Sequence, residues 1–131
     1  MYRFHVNLFA DPKETSFVCT WEDAAAMLER LPRMIFELDG SFVLSGNVER
    51  AERAGASPPP LETPTRWQVD GHLFDFAGSL HRMELHGACP RAVFDELLRS
   101  VGWPRQPLKF ELVREGIRVD ERTFRDLALG E

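Results

Sequence analysis

The chain has 131 residues and a mass of 15.0 kDa, and its 44% hydrophobic and 28% charged residues are typical of one globular domain. The 16 basic and 21 acidic residues give a net charge of −5, which argues against a general affinity for nucleic acid or anionic membranes. No apolar run approaches the roughly 20 residues of a membrane span or forms a signal-peptide core, so we expect a cytoplasmic protein whose two cysteines stay reduced.

The first strand and the first helix are predicted from residue periodicity. Residues 2–9 alternate apolar and polar side chains, which is the period of a half-buried strand. Thr20 is a suitable N-cap for a helix in which Ala24 and Leu28 belong to one apolar stripe. Pro32 is predicted to end this helix, because proline lacks the backbone N–H that a helix requires.

A hairpin and a long connection are predicted after this helix. Strands over 34–38 and 41–45 are separated by Asp39-Gly40, which favours a tight turn because both central positions can adopt positive φ. Residues 47–64 contain three consecutive prolines, small residues and mixed charge, a composition typical of an exposed connection. We predict that this segment joins two parts of a single domain spanning residues 1–131.

A meander of three strands is predicted after the connection. Residues 66–69 and 72–76 would form a second hairpin around Asp70-Gly71, and Gly78-Ser79 would turn the chain into a strand over 81–86. Five aromatic side chains are in phase with the buried faces and are predicted to belong to the core: Trp67, Phe74, Phe76, Phe94 and Phe110.

The last third of the chain predicts two helices and two strands. Pro90 suits the first position of a helix whose apolar stripe covers 93–101. Strands over 108–112 and 117–119 follow this helix. Asp120 is predicted to cap a short C-terminal helix, because its carboxylate can accept a hydrogen bond from a free N–H of the first turn.

Two segments of the chain resemble each other. Residues 28–43 and 98–119 both read as the end of a helix, Pro-Arg, a strand with Phe-Glu-Leu, and a Gly-containing hairpin. The similarity predicts two tandem βαββ units, in residues 1–46 and 65–131. The alternative is that the two segments are alike only because helix–strand–hairpin sequences commonly share such a pattern. The predicted fold is α+β: a mainly antiparallel sheet, two longer helices packed on one face, and a short C-terminal helix.

No local motif for nucleotide binding or hydrolysis is present, so candidate chemistry depends on single side chains. Cys19 and Cys89 both precede predicted helices, where the N-terminal N–H groups favour a thiolate. Cys89, with His86 three residues earlier, is the candidate for a thiol-based enzyme or small-ligand binder. The alternative is that both cysteines are small buried residues at strand-to-helix joints.

Imidazole and thiolate side chains in the second half of the chain are ligand types that zinc prefers. The four candidate ligands are His72, His81, His86 and Cys89. In a regular strand His81 and His86 would lie on opposite faces, so their convergence requires a bulge or a bend near Gly87. We therefore expect unrelated polar residues rather than a zinc site, and no cofactor is predicted.

Polar side chains on the predicted strands are out of phase with their apolar neighbours and would project from the sheet face opposite the helices. This face is predicted to consist of Arg3, His5, Arg66, Gln68, Asp75, Arg82, Glu84, Lys109, Glu111 and Arg118. Two interpretations remain open: a solvated face whose ion pairs contribute little, or a functional face that is either a docking surface or a shallow cleft for a polar ligand.

No feature of the sequence identifies a function. Acidic net charge, missing catalytic motifs and strand edges able to accept a partner favour a small non-catalytic cytoplasmic module. We expect this module to bind a protein partner or to self-associate through the polar sheet face or a strand edge. Binding to nucleic acid or to a membrane is not expected.

Overall fold

The computed structural model describes residues 1–12, 17–47 and 66–129. Its elements follow one another as β1 (Tyr2–Ala10), α1 (Trp21–Glu29), β2 (Met34–Phe36), β3 (Ser41–Asn47), β4 (Arg66–Phe76), β5 (Ser79–Cys89), α2 (Arg91–Arg99), β6 (Leu108–Leu112), β7 (Ile117–Val119) and α3 (Glu121–Leu129). Apart from Asn47, the predicted connection over 47–64 lies outside the described residues.

These strands form one antiparallel sheet in the order β2-β3-β4-β5-β1-β6-β7. β1, the first strand of the chain, lies inside the sheet between β5 and β6. The buried residues of α1, α2 and α3 join a single core cluster with the inward-facing strand residues. The helices therefore cover one face of the sheet, and the predicted α+β fold is confirmed. The C-terminal helix α3 is not shorter than the other two as predicted, because all three helices have nine residues.

The core follows the predicted alternation of side chains along the strands. Val6 and Phe110 are fully buried beneath the helices, whereas their neighbours His5 and Glu111 lie partly exposed on the other face. An aromatic cluster connects the sheet to α2 and α3, with ring centroids between 4.7 and 6.5 Å apart. Its members are Tyr2, Phe4, Phe94, Phe110 and Phe124.

Two of the predicted helix caps are formed. The Thr20 hydroxyl accepts a hydrogen bond from the Asp23 N–H at 3.0 Å, and Asp23 completes a capping box at the start of α1. The Asp120 carboxylate accepts a hydrogen bond from the Thr123 N–H at 2.8 Å at the start of α3. Both helices therefore begin where the sequence predicts.

The predicted hairpin at Asp70-Gly71 is wrong, because β4 continues without interruption from Arg66 to Phe76. Gly71 pairs with Phe42 on β3, and a Cβ atom at position 71 would collide with the Phe42 ring. Glycine is therefore required here for the close approach of an aromatic ring. A turn is not the reason for its presence.

The turn that ends β4 lies at Ala77-Gly78, where φ is 54° and 87°. Two consecutive positive φ values are typical of a two-residue type I′ hairpin. The predicted hairpin at Asp39-Gly40 is present, but its loop is longer than the predicted two-residue turn. Only Gly40 has positive φ (97°), and the loop is closed by a hydrogen bond from the Glu37 N–H to the Ser41 carbonyl.

The uninterrupted course of β4 changes which face several side chains occupy. Phe74 and Phe76 alternate with the buried Leu73 and lie on the opposite face, so their predicted place in the core is wrong; Phe76 is 75% exposed. Asp75 pairs with the buried Leu80 and lies on the helix side, so its predicted place on the polar face is wrong as well.

Both predicted halves contain the element order βαββ, as β1-α1-β2-β3 and as β5-α2-β6-β7. Within the second half, the single long strand β4 precedes these elements, where the sequence predicts a hairpin over 66–69 and 72–76. The two halves occupy different positions in the sheet, because β6 pairs with β1 whereas β2 is an edge strand that pairs with β3. The strands of the two halves are therefore not arranged in the same way in the sheet.

Candidate functional site

The sheet face opposite the helices carries polar side chains from five of the seven strands. We call it the polar face and define it by the outward-facing strand residues Arg3, His5, Asn7, Arg66, Gln68, Asp70, His72, Arg82, Glu84, His86, Lys109, Glu111 and Arg118. It includes every predicted member except Asp75. The sequence analysis assigned Asp70 to a turn. Extending the strand alternation through Gly71 would have placed Asp70 on the polar face.

Asn7 is at the centre of a row of side chains that crosses the sheet. Its amide nitrogen donates to Glu111 Oε1 at 3.0 Å, and its amide oxygen accepts from Arg82 Nε at 3.3 Å. Arg118 Nε lies 3.7 Å from the other Glu111 oxygen. Four strands, β5, β1, β6 and β7, are thus connected by side-chain contacts on this face.

A second group on the polar face consists of two histidines and a carboxylate. His5 Nε2 lies 3.0 Å from Glu84 Oε2, and the His5 ring stacks on His86 with centroids 4.1 Å apart. The side chains of His5 and Glu84 are 23% and 35% exposed, so this pair stays accessible to solvent. Such a pair contributes little to stability and presents an ordered charged surface.

Aromatic rings support the charged groups of the polar face. The Arg82 guanidinium lies 3.8 Å above the Phe74 ring, and His72 stacks on the same ring at 4.2 Å. Phe9, which is 7% exposed, lies beneath the Arg118 guanidinium at 5.5 Å. The stems and heads of these cations are therefore held in place by flat apolar surfaces.

The charge of the polar face differs in sign from that of the chain. The polar face carries five cations (Arg3, Arg66, Arg82, Lys109 and Arg118) and three carboxylates (Asp70, Glu84 and Glu111), a net charge of +2 on a chain with a net charge of −5. The rest of the chain accordingly has a net charge of −7. The face is a local positive region that attracts anionic groups.

Three of the four histidines of the chain are members of the polar face. The fourth, His81, is the extra residue of a bulge in β5, where Phe74 pairs with Arg82 and Asp75 pairs with Leu80. The His81 ring lies 5.9 Å from the Phe9 ring, at the end of this face.

Cys89 and His86 do not come together, because they lie on opposite faces of β5. Cys89 is fully buried beneath the helices, and this burial, with a smaller effect from the negative charge of Asp95, raises the pKa of its thiol to about 12. The half-buried Cys19 also has a raised pKa, and burial is again the main cause. Stabilisation of the thiolates by the helix N-termini would lower these pKa values, so this expectation is wrong for both cysteines.

The four candidate zinc ligands do not converge either. His72 and His86 are on the polar face, His81 is in the bulge, and Cys89 is on the helix side. Within residues 1–12, 17–47 and 66–129, no group of three or more His, Cys, Asp or Glu side chains has the arrangement of a metal site.

Sequence reasoning missed a cluster around Arg125 on α3. The guanidinium donates to Asp95 and Glu121, both at 2.8 Å, and to the Tyr2 hydroxyl at 3.1 Å. Trp103 donates its indole N–H to the other Glu121 oxygen at 2.8 Å. The side chain of Arg125 is 13% exposed, and its partners come from β1, α2 and α3, so its role is to hold α3 against the rest of the fold. The spacing of Glu121 and Arg125 by four residues was the available signal.

None of the helices in the described residues is long and apolar enough to cross a membrane. The chain matches no protein-family model, and no curated protein and no solved structure shows significant similarity to it.

Proposed function

We propose that this protein is a non-catalytic cytoplasmic module that binds an acidic surface of a protein partner through its polar face. The observation that carries the proposal is the charge segregation: five cations and three carboxylates occupy one sheet face of a chain whose net charge is −5. Opposite potentials on two proteins accelerate and orient their association.

The order of the side chains on the polar face supports docking. Asn7, Arg82 and Glu111 restrain one another through hydrogen bonds, and Phe74 restrains Arg82 from below. A side chain that is already ordered loses less conformational entropy when a partner binds. The surface is thus suited to recognition without a rearrangement of the sheet.

Self-association is the second candidate, and the same charge segregation favours it. The positive polar face of one copy is complementary to the acidic remainder of another, which has a net charge of −7. Such a contact joins two different surfaces and would extend into chains of molecules unless its geometry closes a ring.

A charge-reversal experiment tests the docking surface. A photo-crosslinking amino acid replaces Gln68 on the polar face, and captured partners are identified from the source cells. Their affinity is then measured for the double variant Lys109→Glu/Arg118→Glu and for the control Arg91→Glu/Arg105→Glu. The control makes the same change of charge at exposed positions outside the polar face.

We expect the polar-face variant to bind about tenfold more weakly or worse, with a reduced salt dependence, and the control to differ by less than about twofold. Equal losses in both variants would contradict the proposal, because they would indicate general charge attraction. Capture of a second copy of this chain, together with a mass that depends on concentration in analytical ultracentrifugation, would favour self-association over binding to a different protein. The cytoplasmic location is tested separately by cell fractionation, and the two free thiols support it.

A further inference from the structure

The sheet contains an open notch beside the beginning of β1. On one side, β5 pairs with β1 from Tyr2 to Leu8; on the other, β6 pairs only from Val6 to Ala10. Beyond the end of β6, a groove of about 760 Å³ runs along the edge of β1 between the β6–β7 turn and the end of α3. We call it the β1 groove.

The backbone of Arg3 faces this groove. In an antiparallel strand the N–H and C=O of one residue point to the same side, and successive residues alternate. His5 accepts a hydrogen bond from the Val113 N–H and Asp11 donates to the Pro107 carbonyl, so the odd residues of β1 point toward β6. The register of β1 is regular from Tyr2 to Leu8, and therefore Arg3 also points to this side, where none of the described residues pairs with it.

The walls of the groove combine apolar and cationic side chains. Phe4 and Phe124 form a nearly buried apolar wall on the helix side, while Ile117 and Leu127 expose 50% and 53% of their surface. Arg3 and Arg114 are exposed at its rim, and the lining contains one carboxylate, that of Glu115. The groove is thus complementary to an apolar ligand that carries a negative charge.

We propose that the β1 groove binds an extended peptide segment of a partner protein by strand addition at Arg3. A peptide is the occupant that supplies what Arg3 lacks, since one residue of a strand offers both a carbonyl acceptor and an N–H donor. The cationic rim favours an acidic segment. The β1 groove is a second binding site, and it does not depend on docking at the centre of the polar face.

The pleat of the sheet determines the sequence pattern of the peptide. The peptide residue that pairs with Arg3 has its side chain on the same face as Arg3, where an opposite charge is favoured. Its two neighbours point to the other face, toward Phe4, Phe124 and Leu127. The recognised pattern is therefore apolar–acidic–apolar in an extended segment without proline at the central position.

The test uses fluorescein-labelled, end-blocked heptapeptides in which Ser-Thr and Thr-Ser flank a three-residue centre. The outer residues of this centre are Val, Leu or Phe, and its middle residue is Glu, Gln or Lys. Binding is followed by fluorescence anisotropy with the full-length protein. Backbone pairing is followed by the Arg3 amide signal in nitrogen–proton NMR spectra and by a peptide with an N-methylated central Glu.

We expect the Glu peptides to bind about fivefold more tightly than their Gln counterparts, and Arg3→Glu to reverse the preference toward Lys. The matched control Lys109→Glu, on the same face, is expected to keep the preference for Glu. Leu127→Ser should weaken all peptides, whereas Leu38→Ser, at a 99% exposed position outside the groove, should not.

Several results would overturn the proposal: no saturable binding of any Glu peptide, a preference unchanged by Arg3→Glu, or equal affinity for the N-methylated peptide. Circular dichroism shows whether each variant is folded. If Arg3→Glu is destabilised, the weaker peptide binding expected for Leu127→Ser still tests the groove. Because Lys109→Glu/Arg118→Glu weakens polar-face docking and leaves the groove intact, the two proposals fail independently.

Discussion

The two faces of the sheet are built from alternate residues of the same strands, yet they are organised by different interactions. On the helix side, Val6, Leu85 and Phe110 are fully buried, and volume decides which side chain fits. On the polar face, Asn7 and Glu111 are held by hydrogen bonds and remain partly exposed. Substitutions on the helix side should therefore change stability, and substitutions on the polar face should mainly change binding.

The same substitution on both faces gives the largest contrast. Phe110→Ala removes a fully buried ring from the aromatic cluster and is expected to lower the free energy of unfolding by about 3–5 kcal/mol. Phe76→Ala, at a 75% exposed position, should cost less than about 0.5 kcal/mol. Urea denaturation measures both, and similar losses would contradict the assignment of the two faces.

The thiol of Cys89 provides a chemical measure of the same contrast. Burial raises its pKa from 9.0 to about 12, so near pH 8 the native protein should contain about a thousandfold less Cys89 thiolate than the unfolded chain. Labelling with a thiol reagent, followed by peptide mapping, measures this difference. Labelling of native Cys89 at the rate of the unfolded chain would show that this face admits water.

The raised pKa of Cys89 also has a consequence for stability at high pH. Unfolding allows the thiol to ionise near pH 9, whereas the native thiol stays protonated until about pH 12. Its contribution to stability is therefore complete below pH 9 and is lost as the pH rises toward 12. Cys89→Ala should flatten the decline of stability between these two values.

Gly71 is the next most sensitive position, because its missing side chain makes room for the Phe42 ring. Gly71→Ala should destabilise the protein by about 1–3 kcal/mol through overpacking. Phe42→Leu in the same chain should recover part of this loss, which a double-mutant cycle measures. Gly78→Asn, in a turn with open space, is the control and should cost less, because it meets no neighbouring atom and asparagine tolerates positive φ better than most residues.

A small effect is also expected for the ion pair at the edge of the polar face. Arg118→Ala removes a 3.7 Å contact with Glu111 between side chains that are 41% and 28% exposed. Its cost should be below about 1 kcal/mol, and added salt should reduce it further. A larger loss in thermal unfolding would indicate that the polar face stabilises the fold and would weaken the division between the two faces.

Much of the fold could be predicted because periodicity is a local signal that burial enforces. The alternation over residues 2–9 and the caps at Thr20 and Asp120 specify β1, α1 and α3 without knowledge of their neighbours. Asp70-Gly71 misled the prediction because the dipeptide has the same appearance whether its glycine enables a turn or makes room for a ring. Which reason applies depends on Phe42, a residue of another strand.

The candidate site was predictable to the extent that it follows strand alternation. Most of the polar face was found in this way, and Asp75 was misplaced because one incorrect turn reverses the parity of the residues that follow it in the same strand. The thiol prediction failed for a different reason. A helix N-terminus is visible in the sequence, but the burial that dominates the pKa of Cys89 is a property of the assembled core.

The central position of β1 constrains the order in which the protein can assemble. Its partners are distant in the chain, with separations between 75 residues, from Leu8 to Met83, and 106 residues, from Val6 to Leu112. During synthesis β1 therefore leaves the ribosome before both of its partner strands, and its apolar side lacks these neighbours until β5 and β6 have emerged. Long-range pairing of this kind slows folding. A nascent chain that stops before β6 lacks the strand that pairs with one edge of β1.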